Sequence, residues 1–122
     1  MKKILIAEDD TFLARAYEMR LKKSNFEVKI ALNGEEVFKI LPVFLPDLIL
    51  LDLIMPVKDG YEVLKELKAS PEWKDIPVII SSCLSQDDDI DVAKKYGAND
   101  YYIKADLDLR DLITKINLLI GK

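Results

Sequence analysis

Leu48-Ile49-Leu50-Leu51-Asp52 is the stretch that decides the fold. Four consecutive aliphatic residues without polar alternation predict a strand covered on both faces, the habit of a parallel sheet lying between helices. The run stops at a carboxylate, and Leu53-Ile54-Met55 then resume the apolar character. A carboxylate set among such residues costs stability unless it is paired or has a function. Working outward, Ile4-Leu5-Ile6-Ala7 and Val78-Ile79-Ile80 are runs of the same kind, and Val28-Lys29-Ile30 and Tyr101-Tyr102-Ile103 predict weaker strands nearer the sheet edges.

Helical patterns fill the gaps. After Asp10, the residues Leu13, Ala16, Tyr17 and Leu21 share one face. Asn33 followed by Glu36 reads as an N-cap with its reciprocal partner, ahead of Val37, Phe38 and Leu41, and Pro42 is expected to stop that helix. Asp59 with Glu62 opens a third helix that ends at Ser70-Pro71. Ser85 with Asp88 opens a fourth that closes at Gly97, and Asp108 with Asp111 opens a fifth bearing Leu109, Leu112, Ile113, Ile116 and Leu119. A strand followed by a helix, five times over, implies right-handed crossovers and one α/β domain with a helix-covered parallel sheet.

Composition narrows the chemistry. The 122 residues suit one domain and contain no histidine and a single cysteine, Cys83. Histidine-based catalysis, His-ligated zinc, an internal disulfide and a thiolate metal cage are all excluded. Eighteen Lys and Arg against 22 Asp and Glu leave a net charge of -4, which gives no support for non-specific nucleic-acid binding. No uncharged apolar run reaches the length of a membrane span, and no signal-peptide core follows Met1-Lys2-Lys3, so a cytoplasmic protein is expected.

In sheets of this kind the site lies beyond the carboxyl ends of the strands. Those ends carry Glu8-Asp9-Asp10, Asp52, Ser81-Ser82 and Lys104. Taken singly, each has a plain reading: Asp10 as an N-cap, the serines as a turn, Lys104 as a solvated cation. Together they are a set of carboxylates that must take up protons or bind a hard cation, with Mg²⁺ the natural choice, beside a hydroxyl and an ammonium suited to phosphate. That constellation points to phosphoryl transfer with a carboxylate as the acceptor.

The blocks Ile4–Asp9, Pro46–Asp52, Met55-Pro56 with Asp59-Gly60-Tyr61, Pro77–Ile80 with Ser82, and Gly97–Tyr101 with Lys104 resemble the receiver domain of bacterial two-component response regulators along the whole chain. The resemblance implies a flavodoxin-like, doubly wound sheet of order 2-1-3-4-5 with five helices on both faces, and one receiver domain over residues 1–122. It implies Asp52 as phosphoacceptor and Asp9 with Asp52 as direct Mg²⁺ ligands. Glu8 would act through water, and the Ile54 backbone carbonyl would complete the protein's share of the shell. Ser82 and Lys104 would engage the phosphoryl group, and Ser82 with Tyr101 would form the switch. The implied donor is a sensor histidine kinase or phosphotransfer protein. The implied readout face is the fourth helix, fifth strand and fifth helix, used by a downstream protein or a homodimer. Phosphoacceptance rather than enzyme activity is expected, with no direct nucleic-acid or membrane contact. The chain reads either as a standalone receiver or as one excised from a larger regulator, and an adaptor that is never phosphorylated stays open as an alternative.

Several places depart from the family pattern. Ala105 follows Lys104 where proline is usual, so either a cis Lys104–Ala105 bond or a changed loop is expected. Cys83 stands where a smaller residue is preferred and either narrows access to the phosphate or is neutral. Ile54 and Leu84 are apolar where receivers tune phosphoryl lifetime, so slow self-dephosphorylation is expected. Val43 and Phe44 are expected to pack beneath the second helix, the sharper reading being a partner patch. Asp87-Asp88-Asp89 suits a helix amino terminus. An aspartate-nucleophile phosphatase would need an acid at Ile54, and a flavin carrier would need a hydroxyl-rich loop in place of Glu8-Asp9-Asp10.

Overall fold

The computed structural model describes residues 1–121. Five parallel strands, β1 (Lys3–Ala7), β2 (Glu27–Ala31), β3 (Leu48–Leu51), β4 (Val78–Ser82) and β5 (Asp100–Ile103), lie in the order β2-β1-β3-β4-β5. Five helices alternate with them: α1 (Thr11–Lys23), α2 (Gly34–Phe44), α3 (Gly60–Ala69), α4 (Asp87–Lys95) and α5 (Leu109–Ile120). The two weaker strands are the edges, as expected.

The unbroken aliphatic runs split by parity into two cores. Leu5, Ala7, Ile49, Leu51, Val78 and Ile80 face α2, α3 and α4, whereas Ile4, Ile6, Leu48, Leu50 and Ile79 face α1 and α5. Each residue of these runs therefore needs an apolar side chain whichever way it points. Cross-strand partners such as Leu5 with Ile49 and Ile80 with Tyr101 keep the carboxyl ends level. The sheet thus presents its strand ends along a single rim. Among the described residues, no helix is long and apolar enough to cross a membrane.

Local capping follows the sequence at four helices. The side chains of Asp10, Asn33, Asp59 and Asp108 accept from the backbone N–H groups of Leu13, Glu36, Glu62 and Arg110. At Asn33, Glu36 also reaches back, but it accepts at 3.0 Å from the Leu32 N–H, one residue before the cap, rather than from that of Asn33. Two expectations need correction. Ser85 does not open α4; the cap is Gln86, which makes no side-chain cap bond, and Asp87, Asp88 and Asp89 occupy the first turn instead. Three carboxylates facing the helix dipole substitute for the missing cap. Pro42 does not stop α2 either, and the helix runs through it to Phe44. The lost N–H costs about 3 kcal/mol, which burial of Phe44 in the last turn, worth roughly 1.5–3 kcal/mol, largely offsets. Phe44 is buried as expected, whereas Val43 is exposed.

Gly60 opens α3 against the backbone of β3's exit. A Cβ there would run into the Asp52 carbonyl oxygen and the Leu53 Cα, and the Gly60 N–H donates to the Leu53 carbonyl at 2.9 Å. Backbone cannot yield as a flexible side chain can, so Gly60→Ala should lower unfolding free energy by about 3 kcal/mol or more. Asn33→Ala removes only a cap and should cost about 1 kcal/mol. Urea unfolding of both variants checks the ranking.

Candidate functional site

The sheet ladder extends one residue past β1 and β3. The Glu8 N–H donates to the Ala31 carbonyl and the Asp52 N–H to the Ala7 carbonyl, both at 3.0 Å. These bonds bring two carboxylates side by side at the rim. Both are almost wholly buried, with relative exposures of 2% for Glu8 and 4% for Asp52, whereas Asp9 is exposed. One carboxylate oxygen from each of Glu8, Asp9 and Asp52 lies within 4.8 Å of the other two. Hard oxygen donors at this spacing fit a divalent cation such as Mg²⁺ better than a soft metal.

Lys104 enters from the end of β5. Its Nζ lies 2.7 Å from Glu8 Oε1 and 3.0 Å from Asp52 Oδ2. The remaining oxygens are held by backbone: the Asp10 N–H donates to Glu8 Oε2, and the Ile54 N–H to Asp52 Oδ1, each at 3.2 Å. Burial drives the Glu8 pKa up to about 7, and the charge of Asp52 adds to this, while Lys104 and the Asp10 N–H oppose it. Burial pulls Lys104 down, but its hydrogen bonds to Glu8 and Asp52 prevail, so its pKa is raised and the ammonium persists.

Ser82 and Tyr101 form a second group. Ser82 is buried, and its Oγ accepts from the Leu84 N–H at 3.2 Å, while the Tyr101 hydroxyl donates to the Leu84 carbonyl at 2.7 Å. Both side chains are tied to the loop that leads into α4. Cys83, between them and that loop, is exposed. Lys104–Asp106 forms a short 3-10 turn, and no cis peptide bond occurs among the described residues, so the Lys104–Ala105 bond is trans.

A further contact escaped the sequence reading. The hydroxyls of Tyr17 and Ser81, both buried, lie 2.8 Å apart and tie α1 to β4. Tyr17 sits on the apolar face of its helix, and a buried tyrosine needs a partner for its hydroxyl. That need was visible in the sequence, but the identity of the partner was not.

The sequence model of the response regulator receiver domain family matches residues 4–117. The transcriptional regulatory protein PrrA of Mycobacterium leprae is 34% identical over 120 residues, covering 98% of this chain and 50% of that protein. The signal receiver domain of a DNA-binding response regulator from Colwellia psychrerythraea 34H superposes with a TM-score of 0.92 at 28% identity, covering all of both chains. The Mn²⁺-bound form of the response regulator Rcp1 gives a TM-score of 0.80 at 33% identity, over 99% of this chain and 91% of that one. The chain spans about half the length of the curated relatives it matches. It belongs to the response regulator receiver domain family of two-component systems.

The raised Glu8 pKa makes a signed prediction. The folded protein holds a proton between about pH 4.5 and about 7 that the unfolded chain releases, so this contribution to stability is full below about 4.5 and gone above about 7. In divalent-free buffer, stability should fall across that window by roughly 1–3 kcal/mol. Urea titrations of a Glu8→Gln variant should lack this part of the slope; an unchanged slope refutes the assignment.

Proposed function

We propose that this receiver domain accepts one phosphoryl group on Asp52 and reports the event through α4, β5 and α5. The reading rests on the junction of Glu8, Asp9, Asp52 and Lys104 at one rim of the sheet. A Mg²⁺ ion would be held by carboxylates of Asp9 and Asp52 and the Ile54 backbone carbonyl, with Glu8 acting through water. That ion would supply positive charge against the incoming phosphoryl oxygens. The Mn²⁺ named for Rcp1 supports a divalent ion of this size.

These 122 residues contain no histidine, so the phosphohistidine donor lies outside this domain, on a sensor histidine kinase or a phosphotransfer protein. An Asp52 carboxylate oxygen attacks phosphorus in line. The new P–O bond forms as the P–N bond breaks, and the electron pair leaves with the imidazole nitrogen, which takes up a proton. Lys104 neutralises part of the added charge, and the Ser82 hydroxyl turns to donate to a phosphoryl oxygen. Tyr101 follows Ser82 because both hydrogen-bond to Leu84. α4 is suited to respond: only Ala93 of its residues is buried and its cap makes no side-chain bond.

The domain is one unit over residues 1–122, acts in the cytoplasm as a phosphoacceptor rather than an enzyme on other substrates, and engages a downstream protein or a second copy through the α4-β5-α5 face. Its regulatory relatives and its share of their length favour a receiver that works within a longer regulator, where any nucleic-acid contact belongs to another part.

Incubation with Mg²⁺ and a small acyl phosphate should add one phosphoryl group, seen by mass spectrometry. Asp52→Asn should abolish it, and equal labelling of that variant would refute the role of Asp52. Ile54 is half exposed beside the acceptor and cannot orient water by hydrogen bonding. Self-dephosphorylation should therefore be slow, and Ile54→Asn or Ile54→Glu should shorten the phosphoryl half-life; unchanged decay counts against this.

A further inference from the structure

Among the described residues, three non-glycine residues have positive φ: Asn25 at 69°, Leu45 at 53° and Val57 at 70°. The first two follow α1 and α2, where a left-handed residue commonly terminates a helix. Val57 does neither. It is β-branched, and it sits at the centre of a three-residue turn closed by the Lys58 N–H donating to the Pro56 carbonyl at 2.8 Å. A γ-turn with positive central φ is rare and strained, and a β-branched residue is a poor occupant of it. The Val57 side chain is 73% exposed, so its own packing does not hold it there. Such conformations persist only where the surroundings over-determine them.

The next residue supplies the restraint. Lys58 Nζ lies 2.8 Å from Glu66 Oε2 on α3 and 4.9 Å from the centroid of the Phe38 ring on α2. Its backbone is pressed on the start of α2, where a Cβ on Gly34 would run into the Lys58 carbonyl. Lys58 is thus gripped by two helices through its ammonium and by one through its peptide. Upstream, the chain is pinned by the Ile54 N–H on Asp52 Oδ1. Downstream, the Gly60 N–H is bonded to the Leu53 carbonyl. The span between these pins carries the Ile54 carbonyl.

We propose that Lys58 is a positioning residue: by anchoring the strained turn at Val57 it sets the Ile54 carbonyl at the cation site. This rests on the reading of that carbonyl as a Mg²⁺ ligand. The plain alternative is a surface ion pair without consequence for the site, since such pairs contribute little. Charge separates the two further. Removing a cation near a Mg²⁺ site should tighten binding, whereas losing the anchor should weaken it.

Calorimetric titration of the full chain with Mg²⁺ tests the proposal, using wild type, Lys58→Ala, Val57→Gly and the double variant. Lys58→Ala should raise the Kd about 5- to 20-fold. Glycine reaches positive φ without strain, so the turn no longer needs its anchor and the double variant should recover most of the loss. Equal or tighter binding by Lys58→Ala overturns the proposal, and so does weaker binding that Val57→Gly fails to rescue. A metal-free readout stands beside it: the amide of residue 58 should exchange with solvent at least several-fold faster in Lys58→Ala than in wild type, and an unchanged rate also overturns the proposal. Wild type that binds no Mg²⁺ refutes the cation site itself; wild-type binding with an indifferent Lys58→Ala refutes only the anchor.

Discussion

One ammonium facing two buried carboxylates is the constraint on which the rest of this structure depends. Lys104 bonds Glu8 and Asp52 at once, while Asp9 stands at the open side of the same group. Three negative charges against one positive charge leave an imbalance that burial makes worse. The metal-free protein relieves part of it by keeping a proton on Glu8 more readily than an exposed glutamate would. A divalent cation would relieve it more completely, and in the proposed function an incoming phosphoryl group would bring charge that the cation and Lys104 could meet. The same imbalance that costs stability is therefore what would favour a cation at this rim.

The scaffold bears that cost because the rim sits on two full cores. Every residue of β3 is buried on one face or the other, and the glycine at the start of α3 lets that helix close against the exit of β3. Strain collects just outside, at Val57, in the loop that leaves Asp52. Rigidity and strain thus lie within a few residues of Asp52, while α4, on the far side of Ser82, is held by little buried surface. Asp52 thus has a stiff support on one side and a lightly held helix on the other, and the proposed response would fall on the lightly held side.

The strands, their edges, four of the five helix caps and the grouping of polar residues at strand ends were all legible in the sequence, because each follows from short-range periodicity or from one residue's bonding needs. The misreadings share a cause. Pro42 is a helix breaker by local rule, but burial of Phe44 beyond it helps to carry the helix on. Ser85 has the right side chain for a cap, yet the loop tied to Ser82 and Tyr101 through Leu84 moves the helix start to Asp87. In both, packing and loop geometry outweighed a local preference of a few kcal/mol.

By itself, the sequence determined the α/β class, the strand ends as the place of the site, and an oxygen-rich, histidine-free chemistry suited to a cation and a phosphate. It did so because periodicity and residue type are properties of neighbours along the chain. Only the tertiary structure decided that Lys104 bridges Glu8 and Asp52, that Tyr17 meets Ser81, and that Lys58 is gripped by α2 and α3 beside a strained Val57. Those pairings join residues up to 96 positions apart, from Glu8 to Lys104. Their partners are chosen by strand order and register rather than by anything a short window of sequence contains.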